Sequence, residues 1–547
     1  MSESSDNDQE LPNFVDFDDV DQERKTSNMT NSSSSSGREF LESCPAFILD
    51  CSSSRNEFLS SDKNSEFKSY QSIRKVLCGS RHLFIWMDEK SSIPGASCQE
   101  SNRLDDSKTL ITVQHALFAC GDNDYSQCGC TFQSKTKSPT IQKVDLNIPL
   151  SDCTHIPEND LKLLRQVSNQ LWHLKNVYTI CNYSFFHIVT TENDLQYELL
   201  VASGWNNVGC CGVGDSSGSS VTRKIVLFHY NGKQSAFLPE HEQISLVSAG
   251  GCNSILVSWN SLKRTQQVYM CGETIEHIYG NSNNFPGSVF SLDSNFVNQY
   301  IMTQHSSSDR TIIKIHAAYG SSHFLLSDCS LLSFGHFALS DPTHNRTVVE
   351  PHWIDSNQLD GESIKDFVVY ESIFALLTYE GNVWVPSSNT EASKKSCTSL
   401  TVFEFGPGSI SRISVSLNYD GVICQCEDNN IYLISKTPYL LEPPTSSSSF
   451  SNTKTEKVNL FHITMDRFMK RHDRMKNKSK RLLGKLSEMV LDGHADVSLH
   501  GLHGLFLVFH MNQRKERAKQ QMCQKLWNQV RTSLDLPKNP FVDVWIL

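Results

Sequence analysis

Several familiar features are missing from this sequence of 547 residues, and each absence narrows the class of protein. The first 25 residues are acidic, where a secretory signal would be basic and then apolar. No apolar run approaches the roughly 20 residues that a membrane-spanning helix needs. No G-x-x-x-x-G-K-[ST] loop or strand-linked G-x-G-x-x-G occurs, and Gly212–Gly218 lacks the lysine and the following helix pattern of a phosphate cradle. We therefore expect a cytoplasmic protein, with the nucleus as the alternative.

Positive charge is scarce over most of the chain. The net charge of −11 argues against a protein that binds nucleic acid with its whole surface. Basic residues gather in 453–540, which hold 18 Lys+Arg against 8 Asp+Glu. Residues 1–38 hold 9 Asp+Glu, 3 Lys+Arg and the run "NSSSSSGR". Such a composition buries too little apolar surface to offset chain entropy, so we expect this tail to be disordered.

What is present is an internal repeat. An apolar strand ends in glycine four times, at Gly121, Gly204, Gly272 and Gly335, in "LFACGDNDYSQCG", "LLVASGWNNVGCCG", "QVYMCGETIEHIYG" and "LLSFGHFALSD". A second pattern lies between these copies and leads from small residues through a polar residue into another apolar strand: "VLCGSRHLFIWMDE", "TICNYSFFHIVTTE", "LVSAGGCNSILVSW" and "HAAYGSSHFLLSDC". Two degenerate units follow, "DFVVYESIFALLTYEGNVWV" and "ISVSLNYDGVICQCEDNNIYLI".

A repeat of about 50 to 70 residues with several short strands is typical of radial β architectures. A single unit cannot bury both faces of its sheet, whereas blades packed around an axis can. The repeated glycines end strands where the chain turns tightly or passes close to a neighbour, which favours a residue without Cβ. The sequence therefore predicts an all-β propeller.

The motif at Gly121 closely resembles the repeat of the regulator of chromosome condensation (RCC1-like) family, in which a strand leads to Gly-Asp-Asn and then Gly-Gln-Leu-Gly. Cys78–His82 and Tyr319–His323 resemble the other half of that repeat. The resemblance covers about residues 70–440 and implies a seven-bladed β-propeller. Six units are readable, so the blade count is six or seven, and "CPAFILDC" near Cys44 is a candidate for the seventh.

Two pairs of cysteines raise the question of a metal or redox site: Cys128 with Cys130, and Cys210 with Cys211. In the alignment with the repeat, Cys128 and Cys211 stand at its leucine and Cys210 at its glutamine. Free cysteine packs as a small apolar side chain. The spacing also lacks the paired Cys-x2-4-Cys pattern of a zinc site. We predict a packing role for these thiols.

Three histidines of the second pattern, His82, His187 and His323, are aligned as equivalent positions, with Asn253 as the fourth. Each is predicted to make the same structural hydrogen bond within its own blade, because buried polar groups must be paired. Catalysis and metal binding are the alternatives that we consider less suited to a once-per-blade position. No catalytic, cofactor-binding or metal-binding residue is predicted, and no cofactor.

The domain boundaries follow from composition. We predict a disordered acidic tail over 1–38, the propeller over 39–441, a Ser-rich linker over 442–457 and a basic helical extension over 458–547. In the extension, Met465–Val490 and Ala518–Leu534 have helical apolar spacing. These helices either pack on the propeller or dock a partner. The cluster Lys470–Arg481 is a candidate nuclear import signal or a patch that binds an anionic surface. The stretch "LHGLFLVFH" from Leu502 fits a strand or a buried helix.

The function expected from these patterns is a non-enzymatic scaffold that binds a protein partner. The resemblance implies a small GTPase or a trafficking or cytoskeletal factor as that partner. A guanine-nucleotide exchange factor is the alternative, because the founding family member exchanges nucleotide on a small GTPase. A chromatin-associated protein that uses the C-terminal basic helices is the second alternative. Fold alone does not decide among them.

Overall fold

The computed structural model describes part of the chain, and the structural statements below concern that part. The described residues are 46–50, 58–59, 72–79, 82–88, 110–121, 123–130, 142–215, 220–272, 287–292, 310–318, 321–335, 351–370, 373–386, 400–405, 410–416, 421–426, 430–435, 459–463, 495–500 and 506–511.

The described residues form seven sheets of four or more strands, which confirms the predicted propeller. Blades 1 to 3 follow the chain. Their strands are Ser72–Cys78, His82–Asp88, Leu117–Gly121 and Gln142–Lys143 in blade 1; Trp172–Thr179, Tyr183–Glu192, Leu195–Trp205 and Ser220–Ile225 in blade 2, with Val113–Gln114 added in parallel; and Glu242–Ala249, Asn253–Asn260, Thr265–Gly272, Phe290–Ser291, Phe228–Tyr230 and Lys233–Ser235 in blade 3.

Blades 4 to 6 are regular four-stranded antiparallel sheets. Their strands are Ile312–Ala318, Ser321–Leu326, Leu331–Gly335 and His352–Ile354 in blade 4; Ile364–Tyr370, Ile373–Thr378, Asn382–Pro386 and Leu400–Glu404 in blade 5; and Ile410–Ser416, Gly421–Cys426, Ile431–Ser435 and Asn459–Ile463 in blade 6. A small separate sheet pairs Leu110–Ile111 with Ile148–Pro149.

The seventh sheet joins the two ends of the described chain. Ala46–Asp50, which lies in "CPAFILDC", pairs with Phe58–Leu59 and with Phe506–Met511, and the latter pairs with Ala495–His500. The described residues thus form six propeller blades and a seventh four-stranded sheet, to which the candidate segment near Cys44 and the stretch from Leu502 each contribute a strand.

Two boundaries predicted from composition need correction. Asn459–Ile463 lies beyond the predicted linker and pairs with Ile431–Ser435, so the last readable unit takes its fourth strand from the predicted extension. The extension also supplies two strands of the seventh sheet, because an open sheet edge near the start of the chain needs partners. The segment 458–547, predicted as a basic helical extension, therefore contains three strands among its described residues. Its two amphipathic segments, the cluster Lys470–Arg481 and the tail 1–38 lie outside the described residues.

The hydrophobic core lies between blades, because neighbouring residues of one strand point to opposite faces of the sheet. In the second strand of blade 2, Phe185 packs in a cluster shared with blade 3, whereas Phe186 packs with blade 1. The same alternation places Phe324 between blades 3 and 4 and Leu325 between blades 4 and 5. Both faces of these strands are buried, which explains their nearly continuous apolar sequence.

From blade 1 to blade 6, the first strand of each blade contacts the first strand of its neighbour in the series, as the innermost strands of a propeller do. Each of these six strands carries a β-bulge at the same distance from the turn that leads into the second strand. The register shifts fall between Ile73 and Lys75, Leu174 and Asn176, Ile244 and Leu246, Ile312 and Lys314, Ile364 and Asp366, and Ile410 and Arg412. A bulge turns a side chain out of the regular alternation of the strand. Because the six bulges share one register, they define one repeated position around the axis.

One α-helix, α1 (Glu158–Val167), lies in the described connection between blades 1 and 2. Its acidic first turn complements the partial positive charge of a helix start. Asp160 Oδ2 also accepts the backbone N–H of Ala236 at 2.7 Å. Leu164 and Val167 are buried in the core between blades 1 and 2. Among the helices in the described residues, none has the length and apolar character to cross a membrane.

Candidate functional site

The turn after the third strand tests the alignment from which the cysteine prediction was made. Asn123 Oδ1 accepts the backbone N–H of Cys128 at 2.8 Å, and Asn206 Oδ1 accepts that of Cys211 at 2.9 Å. Cys128 and Cys211 therefore occupy equivalent positions, as the sequence predicts.

The predicted thiols are packing side chains in the structure. Cys128, Cys210 and Cys211 are buried between blades, and the thiols of Cys210 and Cys211 lie 3.3 Å and 3.2 Å from the carbonyl oxygen of Trp205. Burial raises the pKa of Cys210 well above its ordinary value and that of Cys130 to about 12, so both thiols stay protonated. Within the described ranges, no three His, Cys, Asp or Glu side chains gather as metal ligands would.

The predicted equivalence of the histidines is wrong. The residue that pairs with the turn glycine at the start of each second strand is His82, Tyr183, Asn253 and Ser321 in blades 1 to 4. Counted from this position, His187 lies four residues later and His323 two residues later. An alignment on residue type therefore matched side chains that differ in register.

The residues at this position form hydrogen bonds across blades rather than within them, and we call His82, Tyr183 and Asn253 the polar seam. His82 Nε2 lies 3.0 Å from Thr179 Oγ1 of blade 2. The Tyr183 hydroxyl donates to the carbonyl of Asn253 at 2.7 Å and accepts the N–H of Gly250 at 2.9 Å.

The seam continues one blade further. Asn253 Nδ2 donates to the carbonyl of Ser321 and to Ser322 Oγ in blade 4, both at 3.1 Å. Burial lowers the pKa of His82 to about 3, so its imidazole is neutral at physiological pH. The seam is thus a chain of neutral, buried hydrogen bonds that links blades 1 to 4 at one end of their innermost strands.

The opposite end of the propeller carries the hairpins that join second to third strands and the starts of the first strands, and we call it the hairpin face. Pairing of His173 with Val189 and of Glu192 with Leu195 places both features of blade 2 at this end. Five large apolar side chains are exposed here. They are Leu171, Leu195, Leu262, Ile313 and Tyr379, of blades 2 to 5.

Basic side chains surround the axis at the hairpin face. Every Lys or Arg of the six innermost strands lies at the bulge or one residue after it. We call this set the basic ring: Arg74, Lys75, Lys175, Lys314, Lys365 and Arg412. The bulge positions include a single acid, Asp366. The whole chain has a net charge of −11, so the basic ring is a local concentration of positive charge.

Two members of the ring are held by carboxylates. Lys175 Nζ donates to Glu198 Oε1 at 2.7 Å, and Glu198 Oε2 accepts the N–H of Ile244 in blade 3 at 2.8 Å. Burial alone would raise the pKa of Glu198, but hydrogen bonds from its neighbours outweigh it and hold that pKa at about 2. His187 Nε2 lies 3.4 Å from the same carboxylate, and burial lowers its pKa. Lys314 pairs with Asp366 of the next blade and also donates to the carbonyl of Phe367 at 2.9 Å.

The remaining ring positions include neighbouring charges of the same sign. Burial and the adjacent Arg74 guanidinium both lower the pKa of Lys75. The Arg74 guanidinium lies 4.5 Å from the centre of the Trp86 ring, and Lys75 Nζ is 3.4 Å from Asn176 Oδ1.

Blade 3 interrupts the ring. Its bulge positions are Ser245 and Leu246, and the neighbouring bulge residue in blade 4 is the exposed Ile313. The axis end of the hairpin face thus combines six cations with an apolar gap between blades 3 and 4.

Sequence reasoning missed the basic ring because each blade contributes only one or two of its cations. The local signal is an apolar residue followed within two positions by Lys or Arg at the start of a strand, as in "IRK", "LKN", "IIK", "IKD" and "ISR". Such triplets are common in any strand. They become informative only once the bulges show that they share a register.

A scan of protein-family models and a search of curated proteins find no match to this chain. Among solved structures, human WBSCR16 is 14% identical with a TM-score of 0.40, and the match covers 67% of this chain and 77% of that protein. Yeast RCC1 (Prp20) bound to Kap60 is 12% identical with a TM-score of 0.45, covering 92% and 98%.

Prp20p from Saccharomyces cerevisiae, described with its binding to Gsp1p and histones, is 12% identical with a TM-score of 0.43, covering 90% of this chain and 99% of that one. These structures include the protein whose repeat the motif at Gly121 resembles. At this level of identity and overlap, the propeller assignment depends on the seven sheets themselves, and the partners of those proteins remain properties of those proteins.

Proposed function

We propose that this chain is a non-enzymatic β-propeller scaffold that binds a protein partner through its hairpin face. Small GTPases and trafficking or cytoskeletal factors are the classes to test first, because the sequence motifs resemble a family whose founding member acts on a small GTPase. The observation that carries the proposal is the set of apolar side chains exposed at this face. Leu262 and Leu195 are 73% and 61% exposed at hairpins of adjacent blades.

Exposed apolar side chains scattered singly are ordinary, whereas a group on one face indicates a contact surface. The supporting contrast is internal. The opposite end of blades 1 to 4 places polar side chains in buried hydrogen bonds, while the hairpin tips leave leucine and tyrosine in water. Apolar side chains that are exposed to water in the free protein are stabilised when a partner covers them, as expected of a scaffold.

The test is affinity purification with the full chain and with a Leu195→Ser/Leu262→Ser variant. We expect partners of the wild type to be lost from the variant, because interface energy concentrates in a few apolar or aromatic contacts. Tyr125→Ser, at an exposed residue of the turn after the third strand of blade 1, is the matched control and should keep them. Equal recovery from all three proteins would contradict the proposed surface.

A second measurement separates the scaffold from an exchange factor. Release of a fluorescent guanine nucleotide is followed for a panel of small GTPases with and without the full chain. A scaffold leaves the release rate unchanged. If the full chain accelerates nucleotide release and the Leu195→Ser/Leu262→Ser variant does not, the protein is an exchange factor that acts through the hairpin face. That result would contradict the scaffold proposal.

A further inference from the structure

We propose that the basic ring binds an acidic segment of a protein partner, with an apolar side chain of that segment seated in the gap between blades 3 and 4. This inference rests on the proposed function and specifies the chemistry of the partner. Its starting point is charge: six cations from five blades share one position along the axis.

Contacts within the fold account for only part of the ring. Lys175 and Lys314 have carboxylate partners within the fold, but Arg74 and Lys75 are adjacent in sequence and Lys365 is exposed at its bulge. Like charges held close together destabilise the folded chain through repulsion. A group of cations that raises the energy of the free protein is stabilised when an anion neutralises it.

The surrounding charges favour a peptide over a nucleic acid. The hairpin tips of blades 2, 4 and 5 carry the acids Asp194, Asp328 and Glu380, outside the ring, whereas the tip of blade 3 carries Lys263 and Arg264. Of these acids, Asp328 pairs with Arg310. An extended phosphate backbone lying across the face would meet these acids. A short acidic segment that enters at the axis meets the cations and avoids the rim.

The apolar gap in the basic ring indicates a ligand that has both acidic and apolar side chains. Ile313 is 45% exposed at the bulge of blade 4, and Leu246, one residue after the bulge of blade 3, is partly buried against the core between blades 3 and 4. Exposed apolar surface next to cations suits a segment in which carboxylates flank a leucine or a similar side chain. Burial of that side chain would add apolar contact to the ionic attraction.

The experiment uses fluorescence anisotropy with full-length protein and synthetic fluorescein-labelled dodecapeptides. One peptide is four repeats of Glu-Glu-Leu, the second replaces leucine by serine, and the third replaces glutamate by lysine. A single-stranded 12-nucleotide DNA is the fourth probe. We expect the Glu-Glu-Leu peptide to bind most tightly and to weaken as salt is added, because ionic contacts are screened.

The ring variant is Lys75→Glu/Lys365→Glu, and its matched control is Lys263→Glu/Arg264→Glu, which makes the same charge change at a hairpin tip of blade 3. The ring variant should lose about tenfold or more in affinity, whereas the control should lose less than about threefold. Far-UV circular dichroism and the unfolding midpoint verify folding. Lys75→Gln/Lys365→Gln replaces the ring variant if the charge reversal unfolds the protein.

Ile313→Ser tests the apolar part. It should remove the preference for the leucine peptide over the serine peptide and leave binding of the serine peptide unchanged. Equal binding of the leucine and serine peptides by the wild type would contradict the proposed binding of an apolar side chain between blades 3 and 4. Equal losses in the ring and control variants, DNA binding as tight as peptide binding, or no peptide binding would overturn the ring as a site for an acidic segment.

The two proposals fail separately. If the purified partner is lost from the Leu195→Ser/Leu262→Ser variant but retained by the ring variant, the scaffold function stands and the acidic segment is excluded. If both variants retain the partner, the hairpin face itself is excluded.

Discussion

The two ends of the innermost strands differ in how they use polar side chains. At the polar seam, His82, Tyr183 and Asn253 are buried, neutral and hydrogen-bonded to the next blade. At the hairpin face, the bulge positions of the same strands carry six cations, most of them exposed, and one acid, Asp366. Buried paired groups contribute to cohesion, whereas clustered like charges do not. The difference indicates that one end of each strand holds blades together and the other is available to a ligand.

A comparison of early and late blades shows that the seam depends on geometry more than on residue type. In blades 2 and 3, the third-strand glycines Gly204 and Gly272 allow the start of the second strand to approach closely. Blade 6 makes the same close approach from the other strand. There Gly421 of the second strand pairs with Ser435, and a Cβ at Gly421 would meet the carbonyl of Ile434 at 2.2 Å. The repeat loses its sequence signal although the backbone contact persists.

The largest expected effect is at a seam glycine. Gly204 has φ of +131°, and a Cβ there would lie 2.4 Å from Tyr183 Cα. Gly204→Ala should therefore lower the free energy of unfolding by about 3 kcal/mol or more, measured by urea denaturation. Gly232→Ala is the control, since Gly232 has φ of +71° with no atom within 4 Å, and it should cost about 1 kcal/mol. Equal costs would show that close approach at the seam is unimportant.

Tyr183→Phe removes the seam hydroxyl while keeping the ring. The change removes the hydroxyl's bonds with the N–H of Gly250 and the carbonyl of Asn253, which still bond each other at 2.8 Å. We therefore expect a loss of about 1 to 2 kcal/mol of unfolding free energy. Tyr379→Phe, at the exposed hairpin tip of blade 5, should change stability by less than about 0.5 kcal/mol. A comparable loss in both variants would contradict the distinction between the two ends.

The seam also predicts a pH dependence. The pKa of His82 falls from 6.5 to about 3 on folding, so the unfolded chain binds a proton that the folded chain excludes. The resulting stability is complete above pH 6.5 and is lost as the pH falls toward 3. Between pH 7 and pH 5, the wild type should lose about 2 kcal/mol more than His82→Gln. Parallel pH profiles for the two proteins would show that His82 is not buried in its neutral form.

The smallest effect is expected at the basic ring. Lys75→Gln/Lys365→Gln should change the free energy of unfolding by no more than about 0.5 kcal/mol, because exposed charges contribute little to stability. Removal of repulsion would make the variant slightly more stable, most clearly at low salt. Urea denaturation at two salt concentrations measures this change in the free energy of unfolding. A loss of about 2 kcal/mol would mean that the ring serves the fold rather than a ligand.

Much of the fold could be predicted from local signals. Glycines at strand ends located the third strands of blades 1 to 4, and alignment with the RCC1-like repeat placed Cys128 and Cys211 correctly at equivalent positions. The prediction that these thiols pack in the core followed from that alignment. These predictions succeeded because turn chemistry and strand alternation act over a few residues.

The errors concern contacts between distant residues. The histidines were aligned by type, whereas pairing with a glycine about 20 to 40 residues away in blades 1 to 3 sets their register. The strand Asn459–Ile463 was assigned to an extension because composition changes before it, although an open edge of blade 6 recruits it. The basic ring depends on six bulges in register, and no local pattern reveals that.

Hydrogen–deuterium exchange of the full chain with and without the Glu-Glu-Leu peptide tests the division between the two ends most directly. The account predicts slower exchange at the first-strand starts, residues 72–75, 173–176, 312–314, 364–366 and 410–412, and no change at the seam, residues 79 and 249–253. Slower exchange at the seam with none at the first-strand starts would contradict it.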